Sequence, residues 1–121
     1  MSQHALDLIR AAKSTRAKIL DLGNCGLTEL PDELFELVDL EVFYLSNEGW
    51  EYHWDLGQSF SFKSQNKGES NNIKRLSPKI SQLKNLKALW ANGEGRNKWD
   101  LSDLSPLKDL VNLQQLGVDN T

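Results

Sequence analysis

The chain has a single cysteine, three prolines, one methionine and two histidines in 121 residues. Each scarcity removes a class of protein. A lone Cys25 cannot close an intrachain disulfide, so no secreted cystine framework is present. His4 and His53 are too few for a histidine cluster. His53 has Glu51 and Asp55 beside it, but the three lack the ligand spacing of a structural or catalytic metal site. Basic residues do not predominate: 14 Lys and Arg stand against 17 Asp and Glu, a formal net charge of -3. That balance gives no footprint for a phosphate backbone, so nucleic acid is not an expected partner. No run is apolar enough to cross a bilayer, and the start, MSQHALDLIRAAKSTRAK, lacks a basic segment followed by a long apolar one. A cytoplasmic protein with no membrane partner is expected. Neither GxxxxGK[ST] nor GxGxxG occurs, so there is no nucleotide cradle. No cofactor, metal or catalytic residue is expected, and the chain does not read as an enzyme.

What the sequence does have is a repeat. In AKILDLGNCGLTELPDELFELVD, from Ala17 to Asp39, the phased apolar positions are Ala17, Leu20, Leu22, Leu27, Leu30, Leu34 and Leu37. The pattern restarts at Leu40 with Phe43 and Leu45, at Leu86 with Leu89 and Ala91, and at Leu113 with Leu116 and Val118. The starts at 17, 40, 86 and 113 are spaced 40−17 = 23, 86−40 = 46 and 113−86 = 27. One unit, two units, and one unit plus a few residues describe this series. The closing halves LTELPDELFELVDL, IKRLSPKISQLKNL and LSDLSPLKDLVNL superimpose, the last being one residue shorter. In each LxL the two leucines share one face of a strand, because side chains alternate with period two. Leu20 and Leu22 should point inward and Asp21 outward. Gly23-Asn24-Cys25-Gly26 should turn the chain, and an arm carrying Leu30, Leu34 and Leu37 should return it.

These phased leucines resemble the leucine-rich-repeat family, in the bacterial form with units of about 20–29 residues. The resemblance covers most of residues 17–121. It implies an α/β solenoid, a right-handed leucine-rich-repeat coil with parallel strands on its concave face. No coil can bury its leucines alone, so stacking builds the core. Cys25 then takes the position where this family accepts Asn or Cys. Residues 1–16, with Ala5, Leu8, Ile9 and Ala12 at helical spacing, are expected to form an N-terminal capping helix with Ser2 as its N-cap. The other end, LQQLGVDNT, shows no cap. It reads as the interior of a longer array, and self-association through the uncapped C-terminal edge is expected as well.

Two interruptions break the array, near 47–72 and 92–100. Both follow a strand, both are polar and glycine-bearing, and both close on Trp-Asp-Leu: Trp54-Asp55-Leu56 and Trp99-Asp100-Leu101. In a stacked array, insertions at one position of the unit map to one face, often the binding face. The first reads either as a large loop on a single coil, with a β-hairpin through Phe60 and Phe62 and a flexible tip within 63–72, or as a second coil that has decayed; the single coil is preferred because 65–72 lacks an inward leucine. If no strand intervenes, Tyr44 and Trp90 become neighbours on the concave face. Exposed Tyr and Trp supply large rigid contact area. The candidate partner-binding residues are therefore Tyr44, Trp90, Trp50, Tyr52, Trp54, Arg96 and Trp99. Trp54 and Trp99 have the plainer alternative of plugging their own loops onto the coil, and Tyr44 and Trp90 that of being shielded by the adjacent inserted loops.

The expected function is recognition of a protein partner by a concave sheet and Trp-containing loops. The opening ALDLIRAAKSTRAKILDLGNCGLTELPDEL also resembles arrays that precede Roco-type GTPase domains in bacteria. Similar arrays precede ubiquitin-ligase domains in bacterial effectors. That resemblance implies a sensing segment of a larger enzyme, with its chemistry beyond residue 121. A spacer or oligomerisation unit is a third reading. LSPLKDLVNLQQL resembles internalin repeats, a surface role that the missing signal peptide disfavours.

Overall fold

A computed structural model describes residues 3–53, 56–93, 99, 101 and 103–117, with the backbone alone for 49–53. In chain order the elements are helix α1 (Gln3–Thr15), strands β1 (Ile19–Asp21), β2 (Val42–Tyr44), β3 (Glu48–His53), β4 (Gln58–Lys63), β5 (Ala88–Trp90) and β6 (Gln115–Gly117). Three 3-10 helices, η1 (Asp32–Glu36), η2 (Pro78–Gln82) and η3 (Ser105–Asp109), alternate with the strands. The architecture is mixed α/β: one helix, then a four-stranded parallel sheet in the order β1-β2-β5-β6, with an antiparallel β3–β4 hairpin beside it. The strands begin one residue earlier than the LxL pattern alone suggests.

The sheet stacks the repeat in register. Leu20, Phe43, Leu89 and Leu116 form one row, and Asp21, Tyr44, Trp90 and Gly117 form the next. Leu20, Phe43 and Leu89 are buried, with Leu22, Leu45 and Ala91 one step further along. The arms supply the opposite wall through Leu34, Leu37, Ile80, Leu83, Leu107 and Leu110. Hydrogen bonds repeat with the side chains. Lys18 O accepts from the N–H groups of Glu41 and Val42, Glu41 O from those of Lys87 and Ala88, and Lys87 O from those of Gln114 and Gln115. In the arms, Leu34→Pro31 and Leu37→Leu34 recur as Ile80→Ser77 and Leu83→Ile80, then as Leu107→Leu104 and Leu110→Leu107. Asparagine amides tie one arm to the arm before it: Asn85 Nδ2 donates to Val38 O and Asn112 Nδ2 to Lys84 O, both at 2.8 Å. The first arm carries Asp39 at the matching place. Among the described residues no arm precedes it, and a carboxylate has no N–H to give.

The arms also differ where their sequences do. Ser77 Oγ accepts from Lys79 N–H at the start of η2. In η3 the corresponding residue is Pro106, which has no N–H, and the acceptor moves to Asp103, which takes the Ser105 N–H at 3.0 Å. Hydrogen bonds from Ser105, its hydroxyl first and its N–H second, hold the Asp103 carboxyl below the usual carboxylate range.

Helix α1 lies against β1 and η1 and buries Ala5, Ile9 and Ala12, with Leu8 partly covered. Burying a side chain such as Ile9 contributes about 1.5–3 kcal/mol. Its ion pairs to the first arm, Arg10–Glu33 and Lys13–Glu36, are exposed and add little. Ser2, the expected N-cap, is outside the described residues. The helix ends in a Schellman turn: Ala17 N–H reaches Ala12 O at 2.9 Å and Arg16 N–H reaches Lys13 O. Arg16 sits at the left-handed position with φ 52°, where glycine is the usual occupant. Arg16→Gly is expected to raise stability by about 0.5–1 kcal/mol, read as a higher urea midpoint at unchanged slope.

Candidate functional site

The outward row of the sheet carries the aromatic candidates. β2 pairs directly with β5, so Tyr44 and Trp90 are registered neighbours and no strand separates them. Neither stands open to solvent. Tyr44 is half-buried beneath the hairpin, its ring stacked on Phe62 with centroids 4.1 Å apart and planes at 4°. Trp90 is 2% exposed, so of its two readings the exposed anchor gives way to the shielded side chain. β3 lies against β6, so the hairpin reaches across the sheet beyond the strand it springs from. Gly117 completes the fit: a Cβ there would come within 2.6 Å of Trp90 Cε3 and 2.9 Å of Asn92 Nδ2. The plain backbone of β6 makes room for the indole.

The remaining candidates divide. Trp50 and Tyr52 lie on β3, in register with Ser61 and Ser59 of β4. Trp54 and Arg96 are outside the described residues. Trp99 is 1% exposed and belongs to the core cluster with Leu101, so it is a packing residue rather than a free contact. The two Trp-Asp-Leu endings are therefore not equivalent. Leu101 is buried, whereas Leu56 is exposed in the hairpin turn beside Gly57, whose φ is +63°. Leu101 thus lies in the core ahead of η3, while Leu56 lies in a hairpin turn.

The residues that hold the hairpin's return are ones the leucine pattern passed over. The stretch 63–72, expected as a flexible tip, is tied to the first coil by a polar knot. The Asp21 carboxylate accepts Gly23 N–H at 2.8 Å, Ser64 Oγ at 2.9 Å and Gln65 N–H at 3.0 Å. Asn66 Nδ2 donates to Asp21 O and Gly23 O, both at 3.0 Å. Asn47 Oδ1 accepts from Asn24 N–H and Asn71 N–H. Asn71 is fully buried; its Oδ1 accepts from Cys25 and Leu27 N–H, and its Nδ2 donates to Leu22 O at 2.7 Å and Leu45 O at 2.9 Å. The signal for Asn71 was in the spacing. It stands 71−25 = 46 residues after Cys25, the same interval that separates Leu40 from Leu86. It therefore holds the turn position of the second strand–arm unit, reached after a long excursion. The knot leaves no room for side chains at Gly23, where a Cβ would meet Ser46 O and Ser64 Cβ at 2.4 and 2.6 Å.

Beside the knot lies an open cleft of ≈ 590 Å³ lined by His4, Asn24, Cys25, Gly26, Lys67, Gly68 and Glu69. Its thiol is silent. Burial, with the nearby Asp21 charge second, pushes the Cys25 thiol up to about 11, so it stays protonated at neutral pH. His4 Nε2 is 3.1 Å from Asn66 Oδ1. Among the described residues no three His, Cys, Asp or Glu side chains are grouped to hold a metal. No described helix is long and apolar enough to cross a membrane. No protein-family model matches the chain, and no curated protein matches it either.

Two outcomes follow from this geometry. Asn71→Ala strands buried backbone groups in two coils and is expected to cost about 3 kcal/mol or more. The exposed single bond of Asn85 makes Asn85→Ala cost about 1 kcal/mol. Chemical denaturation of the two variants measures the difference. The raised Cys25 pKa has a definite sign. Its contribution to stability is whole below the ordinary thiol value of 9.0 and is lost as pH rises through about 11. Cys25→Ala should flatten the fall in stability across that interval, and in the wild type a thiol reagent at neutral pH should label Cys25 only on unfolding.

Proposed function

We propose that the chain is part of a leucine-rich-repeat solenoid whose function is to recognise a protein partner, and that it performs no reaction of its own. The observation that carries this is the placement of the hairpin. A scaffold of repeating strand–arm units holds one irregular insertion across its outward sheet face, fixed by the Tyr44–Phe62 stack and by the Asp21–Asn71 knot. A pre-formed, rigid surface loses little entropy on binding. A buried Asn spent on holding an insertion is consistent with an insertion that has a use. Three further features support the solenoid: the repeated arm hydrogen bonds, the shared carbonyls at each strand start, and the asparagines that bridge arms.

The burial of Trp90 and Trp99 shifts the proposed contacts outward. Tyr44 becomes the platform for the hairpin, and Trp90 the packing beneath it. The contact surface of this reading is built on Trp50, Tyr52 and Leu56 of the hairpin; Trp54 and Arg96 stay candidates outside the described residues. Aromatic anchors and arginine within a polar rim are the usual composition of binding hot spots. The sensing-segment reading, with chemistry supplied by a further domain, uses the same surface for the same purpose.

Affinity capture with the immobilised chain, read by quantitative mass spectrometry, tests this. At least one protein should be retained by the wild type and lost on Trp50→Ala/Tyr52→Ala, yet kept by Val111→Ala on the far arm. If every retained protein binds all three alike, the hairpin surface is wrong.

A further inference from the structure

The hairpin has one strand edge that nothing in the described chain uses. Ser64 N–H donates to Asn47 O at 2.9 Å, and this pair continues the register that sets Glu48 opposite Lys63. Hydrogen-bonded and non-bonded pairs alternate along an antiparallel ladder. The bonded pairs are therefore Gly49–Phe62, Glu51–Phe60 and His53–Gln58. The backbone N–H and C=O groups of Ser59, Ser61 and Lys63 accordingly face away from β3. Among the described residues no other strand pairs with β4, and all its side chains except Phe62 are exposed. Edge strands are commonly blunted by proline, a bulge or charge. β4 reads Gln-Ser-Phe-Ser-Phe-Lys, with a single charge at its end and no proline.

We propose that β4 pairs antiparallel with β4 of a second copy of this chain, about a two-fold axis through Ser61. The strand's own pattern selects the occupant and the register. Centred on Ser61, every outward-facing residue of one strand meets an outward-facing residue of the other: Ser59 meets Lys63, and Ser61 meets Ser61. The same register sets Phe60 opposite Phe62 of the other copy, and symmetry repeats that pair. Phe60 is 42% exposed, and the Phe62 ring stacks on Tyr44. A cross-strand aromatic neighbour would cover the more exposed ring and extend the stack. Lys63 meets Ser59 and Gln58 meets Ser64, so no like charges oppose each other. The result is a continuous sheet β3-β4-β4-β3 that closes at two copies. This inference does not depend on the recognition reading, because it uses the outer edge of β4 and not the β3 and loop residues assigned to a partner.

Sedimentation equilibrium of the full chain over a wide concentration series tests it. The wild type should show a monomer–dimer equilibrium and no larger species. Ser61→Lys and Ser61→Asp each place like charges face to face at the axis and should weaken the dimer by about fivefold. An equimolar mixture of these two variants should recover association at or above the wild-type level, which also shows that both are folded. Ser61→Pro removes an outward N–H without touching the β3–β4 bonds, so it should abolish the dimer with unchanged far-ultraviolet circular dichroism. A wild type that stays monomeric overturns the proposal, as does an open-ended series of oligomers. A dimer indifferent to Ser61→Lys, which would point to another surface such as the β6 edge, overturns it too. So does failure of the mixed variants to recover.

Discussion

Everything in this molecule depends on one buried amide. The Asn71 side chain gives two hydrogen bonds and takes two, and all four go to backbone groups just past β1 and β2. A tight turn after each short strand leaves N–H and C=O groups pointing into the core, where an unmet partner costs about 1–3 kcal/mol each. Only a side chain with both donors and acceptors on one small planar group can meet them together. In the first coil Cys25 occupies the turn position and makes no such set of bonds. The second coil, with Asn71, serves both. That is how β2, followed by a long excursion, still pairs in register with β1 and β5.

The excursion then reshapes the surface that it crosses. Phased leucines generate a sheet with a buried face and an outward face. On a regular array, Tyr44 and Trp90 would line the outward one. Here the hairpin folds back over them, Phe62 lies flat on Tyr44, and Trp90 is sealed between its strand neighbours and the absent side chain of Gly117. Aromatic surface on the scaffold has been used to seat the insertion. What is presented outward is the hairpin itself.

The sequence and the structure agree most closely where local chemistry decides. The α1 stripe, the parallel strands, the inward leucines and the hairpin through Phe60 and Phe62 were all legible, because each is set by period, turn residues or strand propensity. The arms were legible as apolar spacing and took 3-10 rather than longer helical form. The polar knot was hidden: Ser64, Asn66 and Asn71 lie in a stretch whose composition reads as a mobile loop. Ser64 Oγ and Asn66 Nδ2 reach back to Asp21, and the Asn71 side chain to Leu22, Cys25 and Leu27, all more than forty residues earlier in the chain. Composition reports how readily a segment is solvated. It does not report whether distant backbone groups need what its side chains offer.

The amino-acid sequence alone determined the number and phase of the strand–arm units. Hydrophobic periodicity is a property of the chain, and burial follows from it directly. Only the tertiary structure decided what the first coil's outward face would look like, whether Trp90 and Trp99 would be surface or core, and which asparagine would span two coils. Those outcomes turn on where a long insertion comes to rest. That depends on the sum of stacking, desolvation and backbone satisfaction across several elements at once, which no single segment encodes. Asn71 shows both sides of this. Its place in the period is written in the chain, and its work is visible only when the coils on either side are present to be held.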